Sequence, residues 1–306
     1  MSNENLTRRE ILAAIPLLGM SGLLPTAALS QDSMPMRRIP GTDESLPIIG
    51  LGSSKPVNQI AERGPEPIAQ VLRTLVANGG RVVDTWPNNA DNDAKFGEVI
   101  SHTDLRKALF LATKIDRTGK EEGIRQFRDT LRHFQRDSVD LLQVFSLTDL
   151  DTQWANLKNF REEGAARYLG VTVSSSRLYE PLTRFLQKEK PDFVQVNYSV
   201  SEREAEESIL PLLQDRGIAV IINRPFMNGS YFATLGDRPV PEWATEFDCH
   251  TWAEFSLKYI LPHPAITCVL TETGNPAHMQ ENALAAYGRM PNAIERQRMT
   301  NLIDTL

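Results

Sequence analysis

The sequence predicts an α/β fold, a (β/α)8 TIM barrel with an N-terminal β-hairpin and C-terminal helices. Three observations carry this. Eight short apolar runs recur along the chain, most of them separated by stretches with apolar residues at helical spacing. No G-x-G-x-x-G follows the first run, so an open dinucleotide-binding sheet lacks its signature. The length of 306 residues suits one large core.

Residues 1–30 read apart from this pattern. Thr7-Arg8-Arg9-Glu10-Ile11-Leu12 sets two arginines before a run, Ile11 to Leu29, that holds no charge. Ala28-Leu29-Ser30 then offers small residues before Gln31. That layout predicts a cleaved signal peptide, and the paired arginines point to the twin-arginine export machinery as a partner. Pro16, Gly19, Gly22 and Pro25 interrupt the run, so no stable membrane anchor is expected in the mature form. The expected location is periplasmic or otherwise exported, with residues 31–306 forming the barrel.

From Met36 to Ile49 two β-compatible pieces, Arg37–Ile39 and Leu46–Ile49, flank Gly41-Thr42-Asp43-Glu44, a hairpin signal. The barrel strands are expected at Ile48–Leu51, Arg81–Asp84, Leu109–Thr113, Leu141–Phe145, Tyr168–Val173, Phe193–Val196, Ala219–Ile222 and Ile266–Leu270. Each is short and nearly continuously apolar, as strands buried on both faces are. Helical spacing runs through Ile68–Val76 and stops at Asn78-Gly79-Gly80. Further helices are expected at Glu122–Gln135, Leu150–Glu163, Ser176–Lys188, Glu202–Arg216 and Thr251–Leu261. Asn275–Tyr287 and Pro291–Leu306 close the chain, with Pro276 and Pro291 in first turns.

Composition narrows the function. Hydrophobic residues make up 41% and charged residues 24%, as in ordinary soluble domains. A net charge of −6 gives no electrostatic case for nucleic acid or an anionic membrane. Cys249 and Cys268 cannot make a disulfide framework, and Cys268 sits in a strand run that predicts a buried free thiol. Neither the cysteines nor the histidines have metal-site spacing, so no metal is expected.

In a barrel of this kind, chemistry gathers at the C-terminal ends of the strands. Those ends carry Leu46-Pro47-Ile48-Ile49-Gly50-Leu51-Gly52, Gly79 to Thr85, Leu111-Ala112-Thr113-Lys114 and Val139 to Val144. Gly164 to Thr172, Val194 to Tyr198, Asn223-Arg224-Pro225-Phe226-x-x-Gly229, and Thr273-Gly274-Asn275-Pro276 with Glu281 to Ala285 follow. Taken in order over nearly the whole mature chain, these segments resemble the aldo/keto reductase family.

The resemblance implies hydride transfer between a nicotinamide cofactor, NADP or NAD, and a small-molecule carbonyl or alcohol substrate. It implies a tetrad of Asp, Tyr, Lys and His, in which the tyrosine protonates the carbonyl oxygen. Asp84 and Lys114 stand at two of these positions. Asn89 stands at the tyrosine position and Phe145 at the histidine position. The candidate catalytic residues are therefore Asp84, Lys114 and Asn89. Asparagine cannot protonate an alkoxide, and a lost general acid costs about 10²–10⁴ in rate. The alternative is an exported barrel that binds a small molecule or cofactor without turnover.

For the cofactor, the resemblance points to Thr172, Gln195, Arg224, Gly229, Thr273, Glu281 and Asn282. Thr172 and Gln195 match groups that hold the nicotinamide amide, and Arg224 suits a pyrophosphate. Asn223 replaces the aromatic that often stacks on the nicotinamide. The cation for a 2′-phosphate would sit at Glu272; a carboxylate there is repulsive and disfavours NADPH.

Each candidate has a plainer reading. Asp84 and Lys114 can be a structural ion pair, Arg224 a surface pair, and Trp86 either a pocket wall or packing. Asp91 and Asp93 read first as charges in the first turn of a helix.

Overall fold

A computed structural model describes residues 33–306. The expected leader, with Arg8, Arg9 and Ala28–Ser30, lies outside the described residues. The hairpin pairs β1 (Met36–Arg38) with β2 (Ser45–Pro47), Arg37 opposite Leu46. The barrel strands are β3 (Ile49–Gly52), β4 (Val82–Asp84), β5 (Phe110–Ile115), β6 (Val139–Phe145), β7 (Ala166–Thr172), β8 (Phe193–Asn197), β9 (Ala219–Asn223) and β10 (Ile266–Thr271). They pair in parallel in chain order, and β10 closes on β3. Every expected strand is present within two residues at either end.

Period-two alternation explains how the interior is filled. Val82, Phe110, Ala112, Leu141, Phe193, Ala219, Ile221 and Cys268 form one apolar cluster, which Ile39 and Leu46 of the hairpin segment join. Two residues further along the same faces come Asp84 after Val82, Lys114 after Ala112, and Gln195 after Phe193. Asn223 follows Ile221 in the same way. The strands thus run from a greasy lower interior to a polar upper layer. Gly170 makes room for that layer. A Cβ there would stand 2.8 Å from the Phe193 carbonyl oxygen and 3.2 Å from Gln143 Cγ, closer than a side chain tolerates.

Outside the barrel, helices at Glu66–Ala77, Ala90–Ser101, Lys120–His133, Leu150–Glu162, Tyr179–Lys188, Ile209–Asp215 and Trp252–Ile260 pack apolar faces on the strands. Pro276–Leu284 and Ala293–Ile303 complete the chain. Two expectations need correction. The helix predicted over Glu202–Arg216 breaks at Ser208 (φ −140°, ψ −55°) into Glu204–Glu207 and Ile209–Asp215. Pro211 has no N–H for the carbonyl four residues earlier, and its ring crowds that carbonyl. Pro291 precedes the last helix rather than opening it. Asn292 caps that helix, and a reciprocal bond from Asn292 N–H to Glu295 sets its start. Short helical pieces at Ser54–Asn58, Ile60–Arg63 and Ser230–Leu235 have too few residues for a periodic signal. Both cysteines are buried and free.

Candidate active site

A cavity of about 440 Å³ opens at the C-terminal ends of the strands. Asp84 ends β4 and Lys114 lies near the end of β5; each is only 4% exposed. Lys114 Nζ donates to Asp84 Oδ2 and to the Thr85 carbonyl oxygen at 3.1 Å. The other carboxylate oxygen, Oδ1, accepts from Gln143 Nε2 at 2.9 Å. A buried ion pair survives only when hydrogen bonds take up its remaining valences, and Gln143 and Thr85 do that here. An ammonium has three protons. Two are taken, so one N–H of Lys114 remains, on a residue that lines the cavity.

On another wall, Thr172 of β7, Gln195 of β8 and Asn223 of β9 form an amide cluster. Thr172 Oγ1 donates to Gln195 Oε1 at 3.0 Å. Asn223 Nδ2 donates to the Val173 carbonyl oxygen at 3.0 Å and to Gln195 Oε1 at 3.3 Å. Gln195 Nε2 and Asn223 Oδ1 are buried with no partner among the described residues. An unpaired buried donor or acceptor costs about 1–3 kcal/mol, so a free donor beside a free acceptor on a cavity wall marks a place for a ligand amide.

Aromatic rings form a third wall. Trp86 stacks on Phe145, with ring centroids 4.5 Å apart and planes 18° from parallel. Trp86 Nε1 donates to Asp116 Oδ2 at 2.7 Å, and Gln126 Nε2 donates to Asp116 Oδ1 at 2.7 Å. The indole is thus fixed at its edge while it remains 39% exposed.

Asn89 is placed differently from Asp84 and Lys114. It is exposed, and its Oδ1 accepts from Asn92 N–H at 2.9 Å as the N-cap of the Ala90–Ser101 helix. It is not among the residues lining the cavity. An asparagine at a strand–helix junction finds the orphan N–H groups of the helix nearer than the cavity. Asp91 and Asp93 both lie in the first turn of this helix. Burial pushes the Asp93 carboxyl above its usual range, although the Asn88 N–H opposes the shift.

Arg224 lines the cavity with two of its three guanidinium nitrogens engaged and Nε buried without a partner among the described residues. It donates to Glu202 Oε1 and to the Ser174 carbonyl oxygen, both at 3.1 Å. Gly229, with φ +97°, lines the same wall. A second hollow of about 260 Å³ adjoins Lys55, Glu272, Thr273 and His278. There Glu272 Oε1 accepts from Lys55 N–H at 3.1 Å. Glu281 and Asn282 sit on the Pro276–Leu284 helix, outside the walls of both hollows.

Comparison with known proteins agrees with this geometry. The aldo/keto reductase family model matches residues 48–290. The chain belongs to the aldo/keto reductase family. That family is one of oxidoreductases, generally dependent on NAD(P). Among curated relatives, the uncharacterized oxidoreductase YqkF of Bacillus subtilis is 22% identical over 53% of this chain and 59% of its own length. The NADH-specific methylglyoxal reductase of Escherichia coli is 27% identical over 39% of this chain and 38% of its own. The matches thus span about half of those relatives or less. Among solved structures, aldo-keto reductase AKR11C1 from Bacillus halodurans in its holo form superposes with a TM-score of 0.72 at 22% identity, covering 88% of this chain and 96% of that one. An aldo-keto reductase from Klebsiella pneumoniae in complex with NADPH gives 0.69 at 22% identity, covering 86% and 93%. At these identities the structural likeness establishes the barrel and nothing finer.

The residues present fit a nicotinamide. Gln195 Nε2 can donate to a carboxamide oxygen while Asn223 Oδ1 accepts from its N–H, which would satisfy both orphaned atoms. Sequence reasoning missed Gln143, Asp116 and Glu202. Gln143 was accessible to it, since it lies two residues before Phe145 on the inward face of β6. The other two act across loops, with no local signal.

Proposed function

We propose that the protein is an aldo/keto reductase-type oxidoreductase that takes NADH in preference to NADPH and acts on a carbonyl or alcohol substrate without the family's tyrosine and histidine. The observation that carries this reading is the free donor and free acceptor of Gln195 and Asn223 in one cavity with the Asp84–Lys114 pair, four strands round the ring from it. When bound, the nicotinamide supplies the hydride chemistry. Thr172 orients Gln195 for the carboxamide. Asp84, held by Gln143, keeps the Lys114 ammonium in place. The remaining Lys114 N–H donates to the substrate oxygen and stabilises negative charge as it develops there. Solvent returns the proton, because Asn89 is occupied as a helix cap and Phe145 has none to give. Glu272, in the second hollow, suits ribose hydroxyl groups and repels a 2′-phosphate.

Titration followed by tryptophan fluorescence tests this reading. NADH is expected to bind at least about tenfold more tightly than NADPH, and Glu272→Lys should reverse the order, a change on the order of 1–3 kcal/mol for a charge-assisted contact. Failure of both cofactors to bind at millimolar levels would sink the reading.

A second reading, binding without turnover, draws on the Trp86–Phe145 stack at the position where the family's histidine would act. Cofactor binding with no turnover of any carbonyl compound would favour it. We further propose export by the twin-arginine route, on the strength of Arg8-Arg9 and the uncharged Ile11–Leu29 run. Export that persists after both arginines become lysine would exclude that route.

A further inference from the structure

We infer that Glu202 and Arg224 are positioning residues: their ion pair clamps the ends of β7, β8 and β9, and so fixes the free donor of Gln195 against the free acceptor of Asn223. The inference rests on the nicotinamide reading above. It gives Arg224 a role other than a contact to the cofactor's diphosphate.

The two free atoms sit where the sheet runs out. The last paired residues are Thr172 and Gln195 between β7 and β8, and Asn197 and Asn223 between β8 and β9. One more backbone bond follows on each side, from Val173 N–H to the Gln195 carbonyl oxygen at 2.9 Å and from Tyr198 N–H to the Asn223 carbonyl oxygen at 3.4 Å. Beyond these the three chains leave the sheet. A donor on one strand and an acceptor on the next recognise a single ligand amide only if their separation holds to within about 0.5 Å. The ladder alone does not secure that at its last rung.

Arg224 supplies the missing tie. It follows β9 directly. Its Nη1 donates to the carbonyl oxygen of Ser174, two residues past the end of β7, and its Nη2 donates to Glu202 Oε1 in the loop after β8. One planar guanidinium therefore spans three neighbouring strand ends, which the point charge of a lysine cannot do in the same geometry. The Arg224 backbone lies at φ +54°, a left-handed conformation that a residue other than glycine keeps only where its surroundings hold it. One residue earlier, Asn223 Nδ2 spends its bonds on Val173 and Gln195, which leaves Asn223 Oδ1 for a ligand.

Glu202 is held in turn. Its N–H donates to Ser199 Oγ at 2.9 Å, its carbonyl oxygen accepts from Ser199 N–H at 2.9 Å, and its Oε2 accepts from Asn197 Nδ2 at 3.4 Å. Arg224 lines the cavity and Glu202 is not among the lining residues, so the carboxylate acts through Arg224. Both side chains are partly buried, and salt screens such a pair less than an exposed one. Each terminal nitrogen of Arg224 keeps one N–H. A contact from these to the diphosphate is the rival reading.

Two dinucleotides separate the readings: NADH and its reduced 3-acetylpyridine analogue, in which a methyl group replaces the amide NH2. They share the diphosphate, so any contact to it cancels in the ratio of their affinities. The wild type should bind NADH about tenfold more tightly, because the analogue offers nothing to Asn223 Oδ1. Glu202→Ala removes both the charge and the acceptor, and should cut that preference to less than about threefold. Glu202→Gln removes the charge and keeps an acceptor for Arg224, so the preference should survive. Arg224→Lys keeps the charge and loses the two-armed reach, and should behave like Glu202→Ala. Binding of NADH shows in each case that the variant is folded. A lower unfolding midpoint in Glu202→Ala with the preference intact would make the clamp merely structural and overturn the inference. Weaker NADH binding in Arg224→Lys with the preference intact would assign Arg224 to the diphosphate and overturn it as well. Either result leaves the nicotinamide reading standing. A wild type that binds both dinucleotides equally, or neither, would remove that reading along with the clamp.

Discussion

At the N-terminal end of the barrel, Glu44 of the hairpin loop accepts from Arg81 Nη2 at 2.7 Å, from Tyr168 Oη at 2.9 Å and from Arg167. At the C-terminal end, Gln195 Nε2, Asn223 Oδ1 and Gln143 Oε1 are buried without a partner among the described residues. Strands of one barrel supply both ends. One end meets its carboxylate with three donors, and little is left over there beyond Arg81 Nε. The other leaves amide atoms unpaired around a cavity. A plug gains stability from satisfied groups; a recognition site keeps its unsatisfied groups for a ligand, at a cost in stability. The Asp84–Lys114 pair cuts across this division, because both oxygens of its carboxylate are bonded while one N–H of its ammonium is left at the cavity.

Breaking that pair should have the largest effect. Lys114→Met leaves the Asp84 carboxylate buried beside Gln143 alone, a loss expected to cost about 3–5 kcal/mol in chemical denaturation. Adding Asp84→Asn to it should recover much of the stability and none of the turnover. If the single variant cost less than about 1 kcal/mol, the pair would be poorly formed and the comparison would fail at its centre.

Next comes Glu44→Gln, expected to cost about 1 kcal/mol at neutral pH by weakening the bonds from Arg81 and Arg167, which keep the Ser45 carbonyl oxygen and Asp140 respectively. Burial alone would raise the Glu44 pKa. Hydrogen bonds from Arg81 and Tyr168 and the charge of Arg167 outweigh that and hold it below the usual range. A lowered carboxyl pKa stabilises the fold fully above the ordinary value of about 4.3 and progressively less as pH falls through the folded-state value. The gap between wild type and variant should therefore close in acid. A gap that widened instead would mean that Glu44 folds protonated. Cofactor affinity should not change.

The smallest change in stability is expected from Gln195→Leu. It removes one orphaned donor and strands Thr172 Oγ1, so the net shift should stay within about 1 kcal/mol. Nicotinamide affinity should drop about tenfold, as loss of one well-placed hydrogen bond implies. Equal cofactor affinity in this variant would show that the amide cluster is only structural.

Much of the barrel was legible in the sequence because strands buried on both faces read as short apolar runs, and all eight were placed. The polar layer was legible in part. Asp84, Lys114 and Gln195 follow apolar inward residues at period two, Thr172 follows Gly170 at the same spacing, and the structure brings all four to one cavity. Asn89 caps a helix outside the cavity; its spacing from Asp84 says nothing about whether a side chain turns to the cavity or to the backbone of the helix it begins. Arg224 was named for a ligand and is held by Glu202, whose contact crosses a loop. The helix broken at Ser208 could have been read from Pro211, which was passed over.

By itself, then, the sequence determined the order of strands and helices, the closure of the lower interior and the identity of the residues at the strand ends. Alternation and helical periodicity are local, and so are the caps that start and stop each element. Tertiary structure alone decided which of those residues meet. Trp86 and Phe145 stack from different strand ends, Asp116 fixes the indole from a third, and Gln195 and Asn223 leave one donor and one acceptor free on adjoining strands. Such contacts depend on ring closure and on how buried polar atoms share their partners, and no single stretch of chain contains that information.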